Sequence, residues 1–305
     1  MMRLLAERDA PRLDRFILAA LPHLSGGRLH RALRENKLKL NGKKLPLSTP
    51  VHRGDEVCLY LPEALLAPPA PQVLYEDDGL LALNKPAGRR SQNETGPQDG
   101  TLLQDARLYL QAHRAPAHPG FEPSLCHRLD TGTSGVLLVA KTPEALAFVT
   151  GLLRRHALEK TYWGLAVGCP APAAGTLAGY LSKDTRRAQV RVLPQPARGA
   201  APVRLQYTTL ATSGRLALLE ITPHTGRTHQ IRAQLAAAGT PLLGDSKYGD
   251  ITANRALRCR YQCLCAGRLQ FPAQLGGPFA HYAGLAITCE KPWFYAKALD
   301  GSLRW

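Results

Sequence analysis

The sequence lacks an uninterrupted apolar stretch of the roughly 18 residues that a membrane-spanning helix needs. Residues 1–15 alternate charged and apolar side chains, and Glu7, Asp9 and Asp14 stand where a signal peptide needs an apolar core. Both absences argue against a membrane or secreted protein. We therefore expect a cytoplasmic protein with no membrane partner.

Motifs for common cofactors and metals are also absent. The chain has neither the G-x-G-x-x-G pattern of dinucleotide-binding loops nor a Walker loop, so we expect no cofactor. Its seven cysteines are an odd number spread over a long chain, which favours reduced thiols over a disulfide framework. Cys259, Cys263 and Cys265 cluster, but without the paired two-residue gaps of a zinc ribbon. We predict no metal site there and leave the role of the cluster open.

Acidic residues are few relative to basic ones. The 305 residues include 39 Lys and Arg against 23 Asp and Glu, a formal net charge of +16. This excess suits a polyanion such as nucleic acid, because neutralising phosphates releases counterions. A basic but otherwise ordinary soluble protein is the alternative. The hydrophobic content of 45% is typical of a globular chain, and the length allows a large and a small domain.

The N-terminal part of the sequence has the pattern of a small α/β unit. An apolar helix at 13–20 and a basic helix at 28–36 precede two short strands at 37–40 and 56–61, and Asn41-Gly42 is a tight-turn signal. Residues 62–72 are rich in Pro and Ala, as linkers are. We therefore predict a small domain at 1–61, a linker at 62–72 and a large domain at 73–305.

The small unit resembles the RNA-binding domain shared by a small-subunit ribosomal protein, tyrosyl-tRNA synthetases and many RNA-modifying enzymes. The resemblance covers residues 12–60: the Arg-Leu-Asp-Arg-Phe start, the Leu-Pro-x-Leu-Ser step and the Asn-Gly turn before Gly54-Asp55. Its basic helix would present cations at three-residue spacing on nearly one face, where phosphates can be met. These cations are Arg28, Arg31, Arg34 and Lys37. A solvated basic face is the alternative.

The large domain mixes strand and helix patterns. Strands are predicted at 73–76, 80–85, 136–141, 161–168 and 216–222. Thr142 as N-cap and Pro143 at the first helical position begin one helix, and a second, at 228–238, is closed by Gly239. Because no regular βαβ repeat appears, the pattern predicts an α+β domain with a mixed sheet.

Three segments carry chemical signals. Residues 127–135 read His-Arg-Leu-Asp-Thr-Gly-Thr-Ser-Gly and place Asp130 in a loop of small residues before an apolar strand. Residues 225–232 read Thr-Gly-Arg-Thr-His-Gln-Ile-Arg and set Arg227, His229 and Arg232 around a helix N-terminus that can hold phosphates. Residues 239–249 contain Gly244-Asp245 before Tyr248-Gly249.

Together these segments resemble the pseudouridine synthases that act on large-subunit ribosomal RNA and some transfer RNAs. The resemblance runs from about residue 73 to 249 in five ordered blocks. They are 73–88 with Asn-Lys-Pro-Ala-Gly, 127–135, Lys160-Thr161-Tyr162, 226–232, and Gly244-Asp245 before Tyr248-Gly249. It implies a mainly antiparallel sheet with flanking helices and a cofactor-free isomerisation of uridine in structured RNA.

The resemblance also assigns catalytic residues. Asp130 matches the carboxylate that acts at the ribose, either as nucleophile or as base, and Arg232 matches the cation that keeps it ionised. Tyr162 matches the tyrosine that stacks on the flipped base and helps to move the proton from carbon 5. Ile231 matches the apolar residue that packs against the base and excludes water.

Contacts to RNA are implied as well. Arg128 matches the residue that fills the gap left by the flipped base, whereas His127 either contacts RNA or only shapes the loop. The chain departs from the family at 89–93, at Leu264-Cys265-Ala266 and at Phe271-Pro272, which puts the substrate in doubt more than the reaction. A basic run follows in a predicted insertion, where it could grip RNA or be a solvated face: Lys183, Arg186, Arg187 and Arg191.

Two other functions compete with this prediction. A non-catalytic RNA-binding or ribosome-assembly protein could keep the same fold. A hydrolase using His229 and Asp130 would need a nucleophile elbow or metal spacing that the sequence lacks. We expect a monomer that binds structured RNA, most naturally ribosomal RNA, with transfer RNA as the second candidate.

Overall fold

The protein is described by a computed structural model. The structure describes residues 1–21, 24, 26–62, 70–96, 98, 100–113, 118–184 and 189–305. Most of the predicted linker at 62–72 lies outside these residues, as do Arg186 and Arg187 of the basic run. The chain divides into two compact units, Met1–Pro71 with Gln92–Ala115, and Gln72–Ser91 with Pro116–Trp305. The predicted domain limits stay a prediction.

The N-terminal unit contains a three-stranded sheet and three helices among its described residues. β3 is central and pairs antiparallel with β1 and β2. Leu13, Ile17 and Leu29 from the first two helices are fully buried in the core of this unit. The elements are β1 (Met2–Leu5), α1 (Leu13–Ala20), α2 (Gly26–Arg34), β2 (Leu38–Leu40), β3 (Glu56–Leu59) and α3 (Leu102–Ala112).

The apolar helix at 13–20 is confirmed, but the basic helix lies two residues earlier than predicted. It ends at Arg34, and Asn36 adopts a left-handed φ of 56° that no α-helix can contain. Lys37 therefore follows the helix, and the prediction that it continues the helical row of Arg28, Arg31 and Arg34 is wrong.

The C-terminal unit is built on one eleven-stranded sheet. The main order is β10-β9-β11-β12-β8-β13-β7-β5-β4, with β14 beside β13 and β6 beside β7. Among the described residues, all strand pairs of this sheet are antiparallel except β7 with β13. The strands are β4 (Gln72–Glu76), β5 (Leu80–Lys85), β6 (Ser124–Leu125), β7 (Ser134–Ala140), β8 (Glu159–Val167), β9 (Ala174–Asp184), β10 (Gln189–Leu193), β11 (Ala201–Ser213), β12 (Leu216–Pro223), β13 (Leu264–Gln270) and β14 (Ala286–Thr288).

Helices flank this sheet, as predicted for an α+β domain. Thr142 caps the first of them by accepting a hydrogen bond from the Ala145 N–H, and Pro143 is its first residue. The helices are α4 (Pro143–Arg154), α5 (Gln230–Ala237), α6 (Ile251–Ala256) and α7 (Trp293–Leu299), with a 3₁₀ helix at Gly277–Tyr282. The predicted class, a mixed and mainly antiparallel sheet with flanking helices, is confirmed.

The two faces of the sheet carry separate cores because successive strand residues point to opposite sides. Trp163, Leu165 and Val167 of β8 pack in the core that contains the apolar residues of α4 and α7. Tyr162 and Ala166 belong to the opposite core, with Ile231 and Leu235 of α5. The strand predicted at 161–168 is confirmed within β8, and the alternation of its side chains directs Tyr162 toward α5. In the described part of the chain, no helix has the length and apolarity needed to cross a membrane.

Candidate active site

The loop between β6 and β7 carries Asp130 and is fixed by hydrogen bonds on both sides. The Ser91 hydroxyl donates to the Leu129 carbonyl at 2.8 Å, and the Leu129 N–H donates back to it at 3.1 Å. The His127 Nε2 accepts a hydrogen bond from the Leu138 N–H at 3.2 Å. Burial lowers the pKa of His127 to about 3, so its ring is neutral and orders the loop.

Lys85 at the end of β5 supports the same loop from beneath. Its ammonium donates to the carbonyls of Pro86 at 3.1 Å and Thr131 at 3.0 Å, and also to that of Arg89. The residue is fully buried, and burial lowers its pKa to about 7 although the charge of Asp130 opposes the shift. Lys85 therefore links the end of β5 to Thr131, the residue after Asp130, through one buried hydrogen bond.

Two glycines allow this loop to lie against β13. Gly135 has a φ of 110°, and a Cβ there would overlap the backbone of Ala266. A Cβ on Gly132 would overlap the side chain of Gln262, which donates to the Thr133 hydroxyl at 3.1 Å. Side chains at either glycine would push the loop away from the sheet.

The turn before α5 brings the second sequence segment to Asp130. The buried Gln230 accepts hydrogen bonds from the Thr225 hydroxyl at 2.8 Å and the Arg227 N–H at 3.1 Å. Its amide donates to the Arg204 carbonyl at 3.2 Å, which anchors the turn to β11. His229 takes a left-handed φ of 55°, and α5 begins at the next residue rather than at 228 as predicted. Arg232 then lies in the first turn of α5.

Arg232 joins two carboxylates. Its Nη1 donates to Asp130 Oδ2 at 2.8 Å, while its Nε and Nη2 hold the Asp245 carboxylate at 2.6 and 2.8 Å. Burial alone would raise the pKa of Asp245, but the hydrogen bonds from Arg232 and from the backbone N–H groups of Lys247 and Tyr248 hold it below its usual range. Burial would lower the pKa of Arg232, and the two carboxylates raise it instead. Arg232 is therefore a permanent cation held in one orientation.

The Asp130 carboxylate faces a cavity of about 710 Å³. Asp130 is the only acidic residue among the described residues that line it, and its side chain is 24% exposed. Tyr162, Ile231 and Leu264 contribute apolar surface to the wall. Burial, reinforced by Asp130, raises the pKa of Tyr162, so its hydroxyl stays protonated at neutral pH. The cavity thus combines one carboxyl group bound to a cation, one neutral phenol and an apolar wall.

The residues predicted for the site in the large domain all line this cavity. They are His127, Arg128, Asp130, Tyr162, Arg227, His229, Ile231 and Arg232. The four predicted cations of the small domain belong to the N-terminal unit. There Glu35 bonds both Arg31 and Lys37 at 2.8 Å, so these two are already paired with an acid.

Sequence reasoning missed further cavity and support residues. Arg154 at the end of α4 and Lys160 on β8 line the cavity, and burial lowers the pKa of Lys160. Asp245 and Lys85 lay inside recognised sequence blocks, but no local signal tied them to Arg232 or to the Asp130 loop. Tyr248 lies in the same sequence block as Asp245, and the centre of its ring lies 5.3 Å from the Arg232 guanidinium. In the described ranges no group of three metal-binding side chains occurs.

Known proteins resemble this chain in sequence and fold. A sequence model of the RNA pseudouridylate synthase family matches residues 79–237. An uncharacterized RNA pseudouridine synthase of Chloroflexus aurantiacus is 35% identical in an alignment of 254 residues that covers 79% of this chain and 76% of the relative. The ribosomal large subunit pseudouridine synthase C of Rickettsia bellii is 30% identical over 79% of this chain and 83% of its own length.

Solved structures agree at the level of the fold. Human RNA pseudouridylate synthase domain containing 4 superposes with a TM-score of 0.59 and 24% identity, covering 75% of this chain and 92% of the human chain. Human RNA pseudouridylate synthase domain containing 1 gives a TM-score of 0.58 at 23% identity. The sheet, the cavity and the matched sequence lead to one conclusion: this chain belongs to the RNA pseudouridylate synthase family and isomerises uridine to pseudouridine in RNA.

Proposed function

We propose that the protein modifies one or more uridines of large-subunit ribosomal RNA and that Asp130 is its catalytic carboxylate. The observation that carries the assignment is the contact between Asp130 and Arg232 in the cavity wall, 2.8 Å long. A carboxylate in a water-poor cavity takes up a proton unless a cation lies beside it. Arg232 supplies that cation, and the name of the Rickettsia bellii relative supports ribosomal RNA as the substrate.

The proposed reaction moves one glycosidic bond and leaves the atoms of the nucleoside unchanged in number. The bond between ribose C1′ and uracil N1 breaks, the base turns, and a bond from C1′ to C5 forms. C5 loses a proton and N1 gains one. Asp130 acts at the ribose during the break, either on C1′ as a nucleophile or on the neighbouring carbon as a base.

Tyr162 and Ile231 are proposed to hold the detached base. Tyr162 lies on β8 and Ile231 on α5, in one apolar cluster that forms part of the cavity wall. A ring stacked on uracil and an apolar residue beside it keep water from the base while it turns. Because the pKa of Tyr162 is raised, we propose that its hydroxyl relays the C5 proton by giving one proton as it takes another.

Positive charge is proposed to hold the RNA around the flipped nucleotide. Arg128 is exposed at the cavity edge, next to Asp130 in the chain, where a wedge would enter the gap left by the base. Arg28, Arg31, Arg34 and Lys37 of the small domain at 1–61 are proposed to contact phosphates of the same RNA. We further propose that the protein acts as a monomer in the cytoplasm.

One experiment tests the assignment of Asp130. Unmodified ribosomal RNA labelled with tritium at uracil C5 is incubated with wild type and with Asp130→Asn. Wild type releases the label because C5 loses its proton, and Asp130→Asn releases at least about a thousandfold less, the scale seen when an essential catalytic group is removed. Asp78→Asn, an exposed acid in the β4–β5 turn, is the matched control and keeps wild-type release.

Other outcomes point to the competing function. Equal release by wild type and Asp130→Asn would remove Asp130 from the reaction. RNA binding without release by wild type, with transfer RNA tested in parallel, would instead favour the non-catalytic RNA-binding protein on the same fold.

A further inference from the structure

His229 lies beside Asp130, and its two ring nitrogens have different neighbours. Nδ1 is 3.0 Å from the Tyr248 hydroxyl, and Nε2 is 3.8 Å from Asp130 Oδ2. The His229 side chain is 15% exposed and lines the cavity. One nitrogen is therefore held by the protein, while the other faces the space next to the catalytic carboxylate.

The contacts of Tyr248 decide which nitrogen carries the proton. The Tyr248 oxygen accepts a hydrogen bond from the Val190 N–H at 2.9 Å, and burial raises the pKa of the phenol. The protonated hydroxyl is then free to donate to Nδ1. Burial lowers the pKa of His229 although Asp130 opposes the shift, so the ring is neutral and its hydrogen sits on Nε2.

The separation of Nε2 and Asp130 Oδ2 allows one oxygen atom on the cavity side to bridge them. A distance of 3.8 Å exceeds the usual range of an N–H···O hydrogen bond, so the donor and the carboxylate do not satisfy each other directly. An oxygen within hydrogen-bond reach of both would accept from Nε2 and donate to Oδ2. Among the oxygens within an RNA strand, the 2′-hydroxyl does both, because carbonyl, ring and phosphate oxygens only accept.

We propose that this oxygen is the 2′-hydroxyl of the target nucleotide, so that His229 makes the site selective for ribo- over 2′-deoxyribonucleotides. The inference rests on the proposed role of Asp130. The 2′-hydroxyl is bonded to C2′, and for a carboxylate that acts at C1′ it lies on the attacked face of the ribose, opposite the base. Asp130 Oδ2 accepts one hydrogen bond from Arg232, so this oxygen is able to accept a second one.

The chain supplies matched variants for the test. His229 lines the cavity with a φ of 55°, a conformation that Asn tolerates well. His229→Asn keeps the backbone but shortens the side chain, so it loses the donor next to Asp130. His281→Asn makes the same substitution at a side chain that is 55% exposed and does not line the cavity. Tyr248→Phe leaves His229 in place and removes the group that fixes its tautomer.

The substrates are two RNAs that carry either uridine or 2′-deoxyuridine at the mapped target position. The kcat/KM for the uridine RNA and the Ki of the 2′-deoxyuridine RNA as a competitor are measured for each variant. We expect His229→Asn to lower kcat/KM by about 10- to 100-fold, the worth of one hydrogen bond to a charged pair, and to change Ki by less than about threefold. Tyr248→Phe shifts kcat/KM in the same direction by a smaller factor, and His281→Asn leaves both constants unchanged.

Two results would overturn the proposal while leaving the catalytic assignment intact. If His229→Asn worsens kcat/KM and Ki by the same factor, His229 acts on phosphate or on the shape of the site rather than on the 2′-hydroxyl. Unchanged kcat/KM would exclude any role in the reaction. If wild type does not turn over the uridine RNA at all, the proposed function fails instead. The contact with the 2′-hydroxyl is then tested by the dissociation constants of wild type for the two RNAs. Equal affinity for both RNAs excludes this contact.

Discussion

Two sets of charged residues in and behind the cavity wall differ in how their charge is balanced. Asp130, Arg232 and Asp245 form a continuous chain of contacts between 2.6 and 2.8 Å. In contrast, no carboxylate of the described residues lies within 4.0 Å of Arg154, Lys160 or Arg227. We call the first set the paired charges and the second the unpaired cations. The difference separates chemistry, which needs fixed geometry, from binding, which needs excess positive charge for a polyanion.

After the loss of Asp130 itself, the largest effect is expected from removing Asp245, the buried member of the paired charges. Asp245→Asn leaves the buried Arg232 with one carboxylate instead of two. Removing one partner of a buried pair costs about 3 kcal/mol of unfolding free energy at the low end of the usual range, and Arg232 then loses its fixed orientation. We expect tritium release to fall by about 100-fold, measured beside urea denaturation.

The loss of unfolding free energy in Asp245→Asn would distinguish the roles of Asp245 and Asp130, the two acids that Arg232 contacts. Asp130→Asn is expected to change stability little, because its carboxylate reaches the cavity and is 24% exposed, whereas the Asp245 side chain is fully buried. If Asp245→Asn kept both stability and activity, the paired charges would not be a structural unit.

A second test concerns the buried cation under the Asp130 loop. Lys85→Met leaves the carbonyls of Pro86, Arg89 and Thr131 without their donor, and we expect a loss of about 2 kcal/mol in unfolding free energy. Activity should fall several-fold, because Thr131 follows Asp130. A stability equal to that of wild type would show that the loop is held by its other contacts alone.

The same residue predicts a pH dependence. Burial lowers the pKa of Lys85 to about 7 in the folded chain, whereas an unfolded lysine titrates near about 10.4. Between these values the unfolded chain binds more protons, so this group adds stability as pH rises from about 7 to about 10. The difference in unfolding free energy between wild type and Lys85→Met should therefore widen over this range. A constant difference would contradict it.

Local patterns were sufficient for the elements that a short window defines. The Thr142-Pro143 start of α4 and the strand at 161–168 are confirmed, because helix capping and the alternating pattern of a strand depend on neighbours in sequence. α3 was missed although Thr101 caps it and Leu102, Ala106 and Leu110 have helical spacing. That signal was present and could have been used.

Contacts between distant segments could not be derived in the same way. Lys85 meets Thr131 across 46 residues, and the Val190 N–H meets Tyr248 across 58. Such pairs depend on strand order, and the parallel pairing of β7 with β13 has no local signal. The resemblance to the family predicted that Arg232 lies beside Asp130. The contact of Arg232 with its second partner, Asp245, was found only in the folded structure.

The smallest effect is expected from the unpaired cations, and Lys160 is the sharpest case. Its ammonium faces the turn at Gly226, 3.5 Å from the position that a Cβ would take there, and it is largely buried. Lys160→Met removes a buried charge without an acidic partner, so stability should stay equal or rise. If the Lys160 ammonium binds an RNA phosphate, Lys160→Met lowers the affinity for RNA by about tenfold. The slope of log affinity against log salt concentration then falls by about one, the contribution of one phosphate contact. Filter binding of ribosomal RNA at several salt concentrations measures both, with Lys297→Met, exposed on α7, as the control. Lower stability with unchanged affinity would mean that Lys160 supports the fold, and the division between paired charges and unpaired cations would then fail.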